Sequence, residues 1–140
     1  MKLLSIVPFL LITTIAHAQS VDIELLQQVV CDWETRGVKD PDESISSAGA
    51  VGACQIKEGT ARAVGYRGKI STLLTDGWVN RRVALEILSD CHQRGRRGVY
   101  ELAYCYHGGP RAKISLAKHR VYAKTIMILY AERVRDRQWR

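Results

Sequence analysis

Apolar residues recur every three or four positions along most of the chain after residue 20. The first such run follows Ser20, a good N-cap, and stops before Gly37, with Pro41 beyond it. Its apolar members are Leu25, Leu26, Val29, Val30 and Trp33. This spacing places them on one face, which predicts an amphipathic helix as the first element.

The same spacing predicts four more helices. They are a short helix at 61–64, a longer one at about 78–94, a short one marked by Val99, Leu102, Ala103 and Tyr106, and a last one at about 116–135, with Val121, Thr125, Ile126, Leu129 and Tyr130 turned inward. Residues 38–56 lack this spacing and are rich in glycine, alanine and serine, which predicts a folded loop or a small β element. We therefore expect one compact, mostly α domain.

The N-terminus has the pattern of a secretory signal peptide. Lys2 is followed by an apolar run from residue 3 to 15 and by the small-x-small triplet Ala16-His17-Ala18. We expect cleavage after Ala18, a mature domain at 19–140, and a periplasmic or secreted location. The alternative is an uncleaved membrane anchor, although the apolar run is short for a span.

The chain is basic, with a formal net charge of +7. A basic exported protein suits an anionic surface such as wall polymers, lipid headgroups or nucleic acid. Most basic residues are dispersed and no nucleic-acid-binding signature is present. We therefore expect neither a nucleic-acid partner nor stable membrane insertion, and we expect a monomer.

Four cysteines are present: Cys31, Cys54, Cys91 and Cys105. In an exported chain this even count predicts two disulfides, with three connectivities open. The alternative is a metal site that adds His92 or His107. Because the chain has no C-x-x-C pair and no common zinc spacing, we expect no metal and no cofactor.

Glu34 is the candidate for acid–base chemistry. It lies at the end of the first predicted helix, next to Trp33. Partial burial and the negative end of the helix dipole would both raise its pKa, and a carboxyl that stays protonated can protonate a glycosidic oxygen. A helix-terminal glutamate is usually only a solvated surface residue, so this position alone is a weak signal.

Four further blocks follow Glu34-Thr35 in order. Residues 46–56 read S-S-A-G-A-V-G-A-C-Q-I, Thr60-Ala61 comes next, Asn80 opens an N-x-x-x-A-x-x-x-L run, and residues 106–110 read Y-H-G-G-P. This order resembles the soluble lytic transglycosylases of the SLT type, relatives of goose-type lysozyme, whose pattern is E-S, S-x-x-G-A-x-G-L-M-Q-I, T-A, N and A-Y-N-A-G-P. The resemblance covers about residues 25–130 and implies an α+β lysozyme-like domain.

The resemblance implies a role for each matching position. Glu34 matches the catalytic acid/base, and Asn80 matches a structural polar residue. The implied cleft residues are Ser46, Gln55, Tyr106, His107 and Tyr122, of which Tyr106 would contact the catalytic glutamate, and Gly49 and Gly52 would let the backbone turn close to the sugar. Simpler explanations stay open: Ser46 as a turn residue, Gln55 as a tie to loop backbone, and both tyrosines as core.

The chain departs from the family pattern at several positions. Thr35 replaces the usual serine, His107 stands where asparagine is usual, and Cys54 replaces an apolar residue. Cys105 precedes the motif tyrosine, where a small residue is usual. Two cysteines near the implied cleft suggest disulfides that brace it, for which the expected pairing is Cys54–Cys91 with Cys31–Cys105.

The implied activity is cleavage of the β-1,4 bond between N-acetylmuramic acid (MurNAc) and N-acetylglucosamine (GlcNAc) in peptidoglycan, leaving 1,6-anhydro-MurNAc ends. The matched blocks hold no second carboxylate; Asp32 should point elsewhere, whereas Asp40, Asp42 and Glu43 could approach from the loop. The alternatives are a hydrolytic goose-type muramidase, a catalytically weak peptidoglycan-binding assembly module and a membrane-active antimicrobial protein. Secretion systems, pili, phages and general wall remodelling all stay open as settings for such an enzyme.

Overall fold

A computed structural model describes residues 20–109 and 116–139. Its helices are α1 (Ile23–Glu34), α2 (Glu58–Ala63), α3 (Ile70–Thr75), α4 (Gly77–Gln93), α5 (Val99–Gly108) and α6 (Ala117–Gln138), with a 3₁₀ turn at Pro41–Glu43. The expectation of one compact, mostly α domain is confirmed. The small β element is reduced to two isolated bridges, which join Ile45 to Val51 and Val51 to Ile56. The predicted signal peptide lies outside the described residues.

The first helix begins and ends slightly inside its predicted limits. Its N-cap is Asp22 rather than Ser20, because the Asp22 carboxylate accepts a hydrogen bond from the Leu25 N–H at 2.9 Å. At the other end the hydroxyl and the N–H of Thr35 both donate to the Cys31 carbonyl, at 3.1 and 3.3 Å. The Thr35 backbone leaves the helical conformation, at a φ of −116°, so α1 ends at Glu34 and this carboxyl projects from its last turn.

Two apolar clusters form the core. One joins α1, α4, α5 and α6 around Leu26, Leu88, Leu102 and Ile126, which are fully buried. The other joins the loop after the 3₁₀ turn to α2, α3 and α4. Tyr106 on α5 packs against both clusters. The junction of the two clusters therefore lies beside this tyrosine.

The inward face of α6 differs from the prediction. Val121 was expected inside, yet 64% of it is exposed, whereas Tyr122, Ala123 and Ile126 are buried. Apolar residues occupy adjacent positions along this helix, so spacing alone does not choose between two faces about 100° apart. Contact with α5, the neighbour against which α6 packs most extensively, selects the face that carries Tyr122.

Two disulfides are present, but the expected pairing was wrong. The bonds are Cys31–Cys54 and Cys91–Cys105 instead of Cys54–Cys91 and Cys31–Cys105. The glycine-rich loop folds back onto the end of α1, which brings Cys54 to Cys31. A short turn joins α4 to α5, which brings Cys91 to Cys105. Each bond therefore links neighbouring segments.

Across the described ranges, no helix is long and apolar enough to cross a membrane. Within the same residues, no group of three or more histidine, cysteine, aspartate or glutamate side chains could hold a metal ion.

Candidate active site

A cleft of about 430 Å³ lies between the glycine-rich loop and the facing ends of α5 and α6. Its walls include five predicted site residues: Glu34, Ser46, Gln55, Tyr106 and His107. A cavity of about 490 Å³ lies between the start of α1 and the end of α6, but none of the predicted site residues lines it. We place the site in the smaller cleft, because the polar and titratable side chains converge there.

Glu34 projects into this cleft from the end of α1 and is partly buried. Burial raises the pKa of its carboxyl above the usual value, and the Tyr122 hydroxyl and the Arg36 guanidinium offset part of this rise. The expected neighbour Trp33 does not line the cleft: it borders a groove beside α6 and stacks under Arg36, 3.6 Å from ring centroid to guanidinium carbon. Trp33 therefore holds the Arg36 guanidinium, which favours the ionised form of Glu34.

Among the described residues that line the cleft, Glu34 is the sole carboxylate. Asp32 pairs with Arg133 at 2.9 Å and Asp42 with Arg81 at 2.8 Å, so both point to other partners. Asp40 and Glu43 are exposed and do not line the cleft. Residues 110–115 contain no aspartate or glutamate in their sequence.

Ser46 forms the tip of one cleft wall and also shapes it. Its N–H donates to the Ala50 carbonyl at 2.9 Å, and its Oγ accepts from the Ala50 N–H at 3.0 Å. The Gly49 N–H donates to the Ser46 carbonyl at 2.9 Å, with Gly49 at a φ of 73°. Ser46 therefore both forms this turn and borders the cleft.

Asn80 on α4 fixes the loop from behind and is fully buried. Its Oδ1 accepts from the Cys54 N–H, and its Nδ2 donates to the carbonyls of Val51 and Leu73, all at 2.9 Å. Gly52, at a φ of 72°, lies so close that a Cβ there would collide with the Asn80 amide. The predicted structural role of Asn80 agrees with these contacts.

Gln55 both supports the loop and borders the cleft. Its Nε2 donates to the Gly52 carbonyl at 2.9 Å and, at longer range, to Ser44. Its backbone has a φ of 49°, which a non-glycine residue rarely adopts. The amide nitrogen is therefore committed to the loop, while the amide oxygen accepts no hydrogen bond from the described residues.

The resemblance places Tyr106 beside the catalytic glutamate, but Tyr106 and Tyr122 both lie near Glu34 and make different interactions. The Tyr106 hydroxyl donates to the Cys54 carbonyl at 2.7 Å rather than to Glu34. Tyr122 is buried, and its hydroxyl faces Glu34 closely enough to lower the pKa of that carboxyl. No partner with full hydrogen-bond geometry reaches this hydroxyl among the described residues. Tyr122, predicted as a second cleft tyrosine, is not among the residues that line the cleft, but its hydroxyl lowers the pKa of Glu34. Burial and the Glu34 charge together raise the pKa of Tyr106.

His107 is paired with a second histidine that the sequence analysis did not single out. Its Nδ1 lies 2.7 Å from Nδ1 of His119, and its ring stacks on the Tyr122 ring with centroids 4.2 Å apart. Partial burial, His119, Lys118 and Lys57 lower the pKa of His107, and burial and Lys118 lower that of His119. His119 precedes Tyr122 by three positions on one helix, a spacing that could have identified it.

The family model for the transglycosylase SLT domain matches residues 34–128, well over half of the chain. The matched segment begins at Glu34 and spans the loop, Asn80, Tyr106, His107 and Tyr122. No curated protein and no solved structure matches the chain. The chain therefore belongs to the SLT transglycosylase family, whose members act on peptidoglycan.

Proposed function

We propose that the protein is a lytic transglycosylase that cleaves the MurNAc–GlcNAc β-1,4 bond with Glu34 as acid and then as base. The observation that carries this proposal is the position of Glu34: a partly buried carboxyl with a raised pKa, and the sole carboxylate among the described residues of the cleft. A raised pKa keeps a fraction of the carboxyl protonated where an exposed glutamate would be ionised.

The reaction needs one proton to leave Glu34 and one to return. Protonated Glu34 gives its proton to the glycosidic oxygen, the bond from MurNAc C1 to that oxygen breaks, and GlcNAc leaves with a free hydroxyl. The Glu34 carboxylate then takes the proton of the C6 hydroxyl on the same MurNAc, whose oxygen bonds to C1. The product is a 1,6-anhydro ring, no water is consumed, and Glu34 is again protonated.

Side chains around Glu34 support its change from the protonated to the ionised form and back. Glu34 is ionised midway, when the Tyr122 hydroxyl and the Arg36 guanidinium both favour its negative form. Ser46 and Gln55 border the cleft, and their side-chain oxygens are the proposed partners of sugar hydroxyls. Tyr106 and His107 complete the substrate-binding surface.

The nearest alternative is a goose-type muramidase, in which Glu34 would activate water. Glycosidases that use water directly place a second carboxylate across the bond, about 6.5–9.5 Å from the first. No second carboxylate lines the cleft among the described residues, which favours attack by the internal C6 hydroxyl. A catalytically weak peptidoglycan-binding module remains the alternative outside enzymes.

The proposed site of action is the periplasm or the cell exterior. A secretory signal peptide at residues 1–18 would export the domain at 19–140, and two disulfides fit an oxidising compartment. The basic charge suits the anionic wall. We propose a monomer that acts on glycan strands, for which a secretion system, a pilus, a phage and general wall remodelling are all settings that fit.

The test compares Glu34→Gln with the native chain on purified peptidoglycan. Glutamine keeps the size of the side chain but cannot donate the proton, so we expect a loss of about a thousandfold in the release of soluble fragments. Glu43→Gln, which changes an exposed loop carboxylate, serves as the matched control and should retain native activity.

Two results would overturn the proposal. Native-rate release of fragments by Glu34→Gln would exclude Glu34 as the acid. A native chain that binds peptidoglycan but releases no fragments would identify a binding module.

A further inference from the structure

We propose that His119 and His107 are positioning residues for the Glu34 reaction: their mutual hydrogen bond fixes the His107 ring, and this ring holds Tyr122 against the Glu34 carboxyl. The inference rests on the proposed role of Glu34. It assigns His119 a function through two other side chains rather than through contact with the reacting atoms.

One hydrogen bond, one ring stack and one electrostatic interaction connect His119 to Glu34. The Nδ1 atoms of His119 and His107 are 2.7 Å apart, a distance that requires a shared proton. The His107 ring then lies nearly parallel to the Tyr122 ring, at 17° with centroids 4.2 Å apart. The Tyr122 hydroxyl in turn interacts with the Glu34 carboxyl.

His119 is well placed to anchor this series of contacts. Only 7% of it is exposed, and the Tyr104 ring packs edge-on against it at 5.5 Å. His107, in contrast, is exposed at the cleft and has one stacked and one edge-on ring neighbour. The buried histidine therefore determines the orientation of the exposed one.

The position of the buried Tyr122 hydroxyl depends on the contacts that hold the Tyr122 ring. Among the described residues this buried hydroxyl has no partner with full hydrogen-bond geometry. The ring fixes the position of the hydroxyl oxygen, while the hydroxyl hydrogen rotates to suit its partner. The stack with His107 thus fixes the direction from which the hydroxyl meets Glu34 as the carboxyl gains and loses its proton.

The histidine contact depends on protonation. With both rings neutral, one Nδ1–H donates to the other Nδ1; with one ring charged, the same arrangement persists. When both rings are charged, two N–H groups face each other and the bond is lost. The pair therefore titrates in two coupled steps, of which only the second releases His107.

The positive charges nearby shift the second protonation of the histidine pair to acid pH. Lys57 and Lys118 both disfavour a proton on His107, and Lys118 also disfavours one on His119. Tyr104 and Tyr122 are the other titratable groups in ring contact with the pair, and Glu34 lies beyond Tyr122. Arg111 and Lys113 lie outside the described residues. The pair is thus bonded at neutral pH and is disrupted on acidification.

This arrangement predicts why kcat/KM falls at alkaline pH and at acid pH. On the alkaline side, activity falls as Glu34 loses the proton that it must donate. On the acid side, Glu34 remains protonated, so any fall in activity comes from the second protonation of the histidine pair.

The test is His119→Phe, which keeps an aromatic ring beside Tyr104 and removes both ring nitrogens. We expect kcat to fall about tenfold with KM changed by less than about twofold, because the reacting groups are misplaced while binding is kept. The alkaline side should move to higher pH, because Glu34 loses the hydroxyl that lowers its pKa, and the acid side should flatten. His119→Gln, whose amide can still bond to His107, should recover part of kcat.

The control is His92→Phe, a histidine on α4 that contacts Arg97 and lies outside the cleft. It should leave the profile unchanged. A His119→Phe enzyme with native kcat and a native profile would overturn the proposal. A loss of kcat at every pH with no shift of either side would reduce His119 to a packing residue and would also overturn it.

A measurement on the native chain covers the case in which the variants fail to fold. Imidazole resonances of His107 and His119, followed by NMR against pH, should show two coupled steps. Independent single-step titrations would contradict the pair. Because this readout needs no cleavage, it is separate from the Glu34→Gln test.

Discussion

The two walls of the cleft are built from different kinds of interaction. The loop wall, residues 44–57, is held by backbone hydrogen bonds, the Asn80 amide and the Cys31–Cys54 disulfide. The histidine wall, formed by His107 and His119 with Tyr122 stacked on His107, is held by ring contacts and one hydrogen bond between titratable groups. The first wall supplies a shape that does not depend on pH, and the second acts on the charge of Glu34.

Glu34 lies where the two walls meet. Thr35, the next residue, donates from its hydroxyl to the carbonyls of Cys31 and Ala53, at 3.1 and 3.3 Å, and so ties the end of α1 to the loop wall. Tyr122 approaches the carboxyl from the histidine wall. The position of the carboxyl thus depends on the loop wall, and its protonation depends in part on the histidine wall.

The largest expected effect is the loss of the amide behind the loop wall. Asn80→Ala leaves the buried Cys54 N–H without an acceptor and opens a cavity, so we expect the free energy of unfolding to fall by about 4 kcal/mol. Chemical denaturation measures this change. Gln93→Ala, on the exposed side of the same helix, is the control and should change it by less than about 0.5 kcal/mol. Equal effects would mean that Asn80 does not hold the loop.

A smaller loss of stability is expected when alanine replaces either of two glycines that have nearly the same backbone conformation. Gly52 has a φ of 72° and no room for a Cβ, whereas Gly49 has a φ of 73° and open space around it. We expect Gly52→Ala to cost about 3 kcal/mol and Gly49→Ala about 1 kcal/mol, since only the first adds a collision to the backbone strain. Similar thermal shifts in the two variants would show that the loop wall yields to the added carbon.

The smallest expected effect is a difference between the two walls in how their contribution to stability depends on pH. The folded-state pKa values of His107 and His119 are lowered, so the stability that they contribute is complete above the usual histidine pKa and is lost as pH falls towards the folded-state values. The free energy of unfolding should therefore fall between neutral pH and about pH 5, and fall less in His119→Phe. The effect of Asn80→Ala should be the same at both pH values. An Asn80 effect that varies with pH would remove the distinction between the walls.

The helices were largely predictable from the sequence because their apolar stripes are long. Four of the five predicted helices, α1, α4, α5 and α6, lie within a few residues of their expected limits, and α2 begins three residues earlier than expected. α3 was missed, since six residues with one fully buried side chain, Leu73, are too few to show a stripe. Short helices depend on tertiary packing, which spacing along the chain does not reveal.

The site was predictable only in part. The order of the blocks identified Glu34, Ser46, Gln55, Tyr106 and His107, which the fold brings to one cleft. The cysteine pairing and the role of His119 depend on which segments fold against each other, and that information lies in contacts between distant residues. The same applies to the tyrosines: the Tyr106 hydroxyl bonds to the Cys54 carbonyl, and the Tyr122 hydroxyl lowers the pKa of Glu34.

The central claim is that Glu34 acts alone and that the C6 hydroxyl replaces water. Mass spectrometry of the fragments that the native chain releases from peptidoglycan tests this claim most directly. We predict MurNAc ends that are lighter by one water than ordinary reducing ends, and none of these fragments from Glu34→Gln. Reducing MurNAc ends in the native digest would show that water is the acceptor and would contradict the single-carboxylate transglycosylase account.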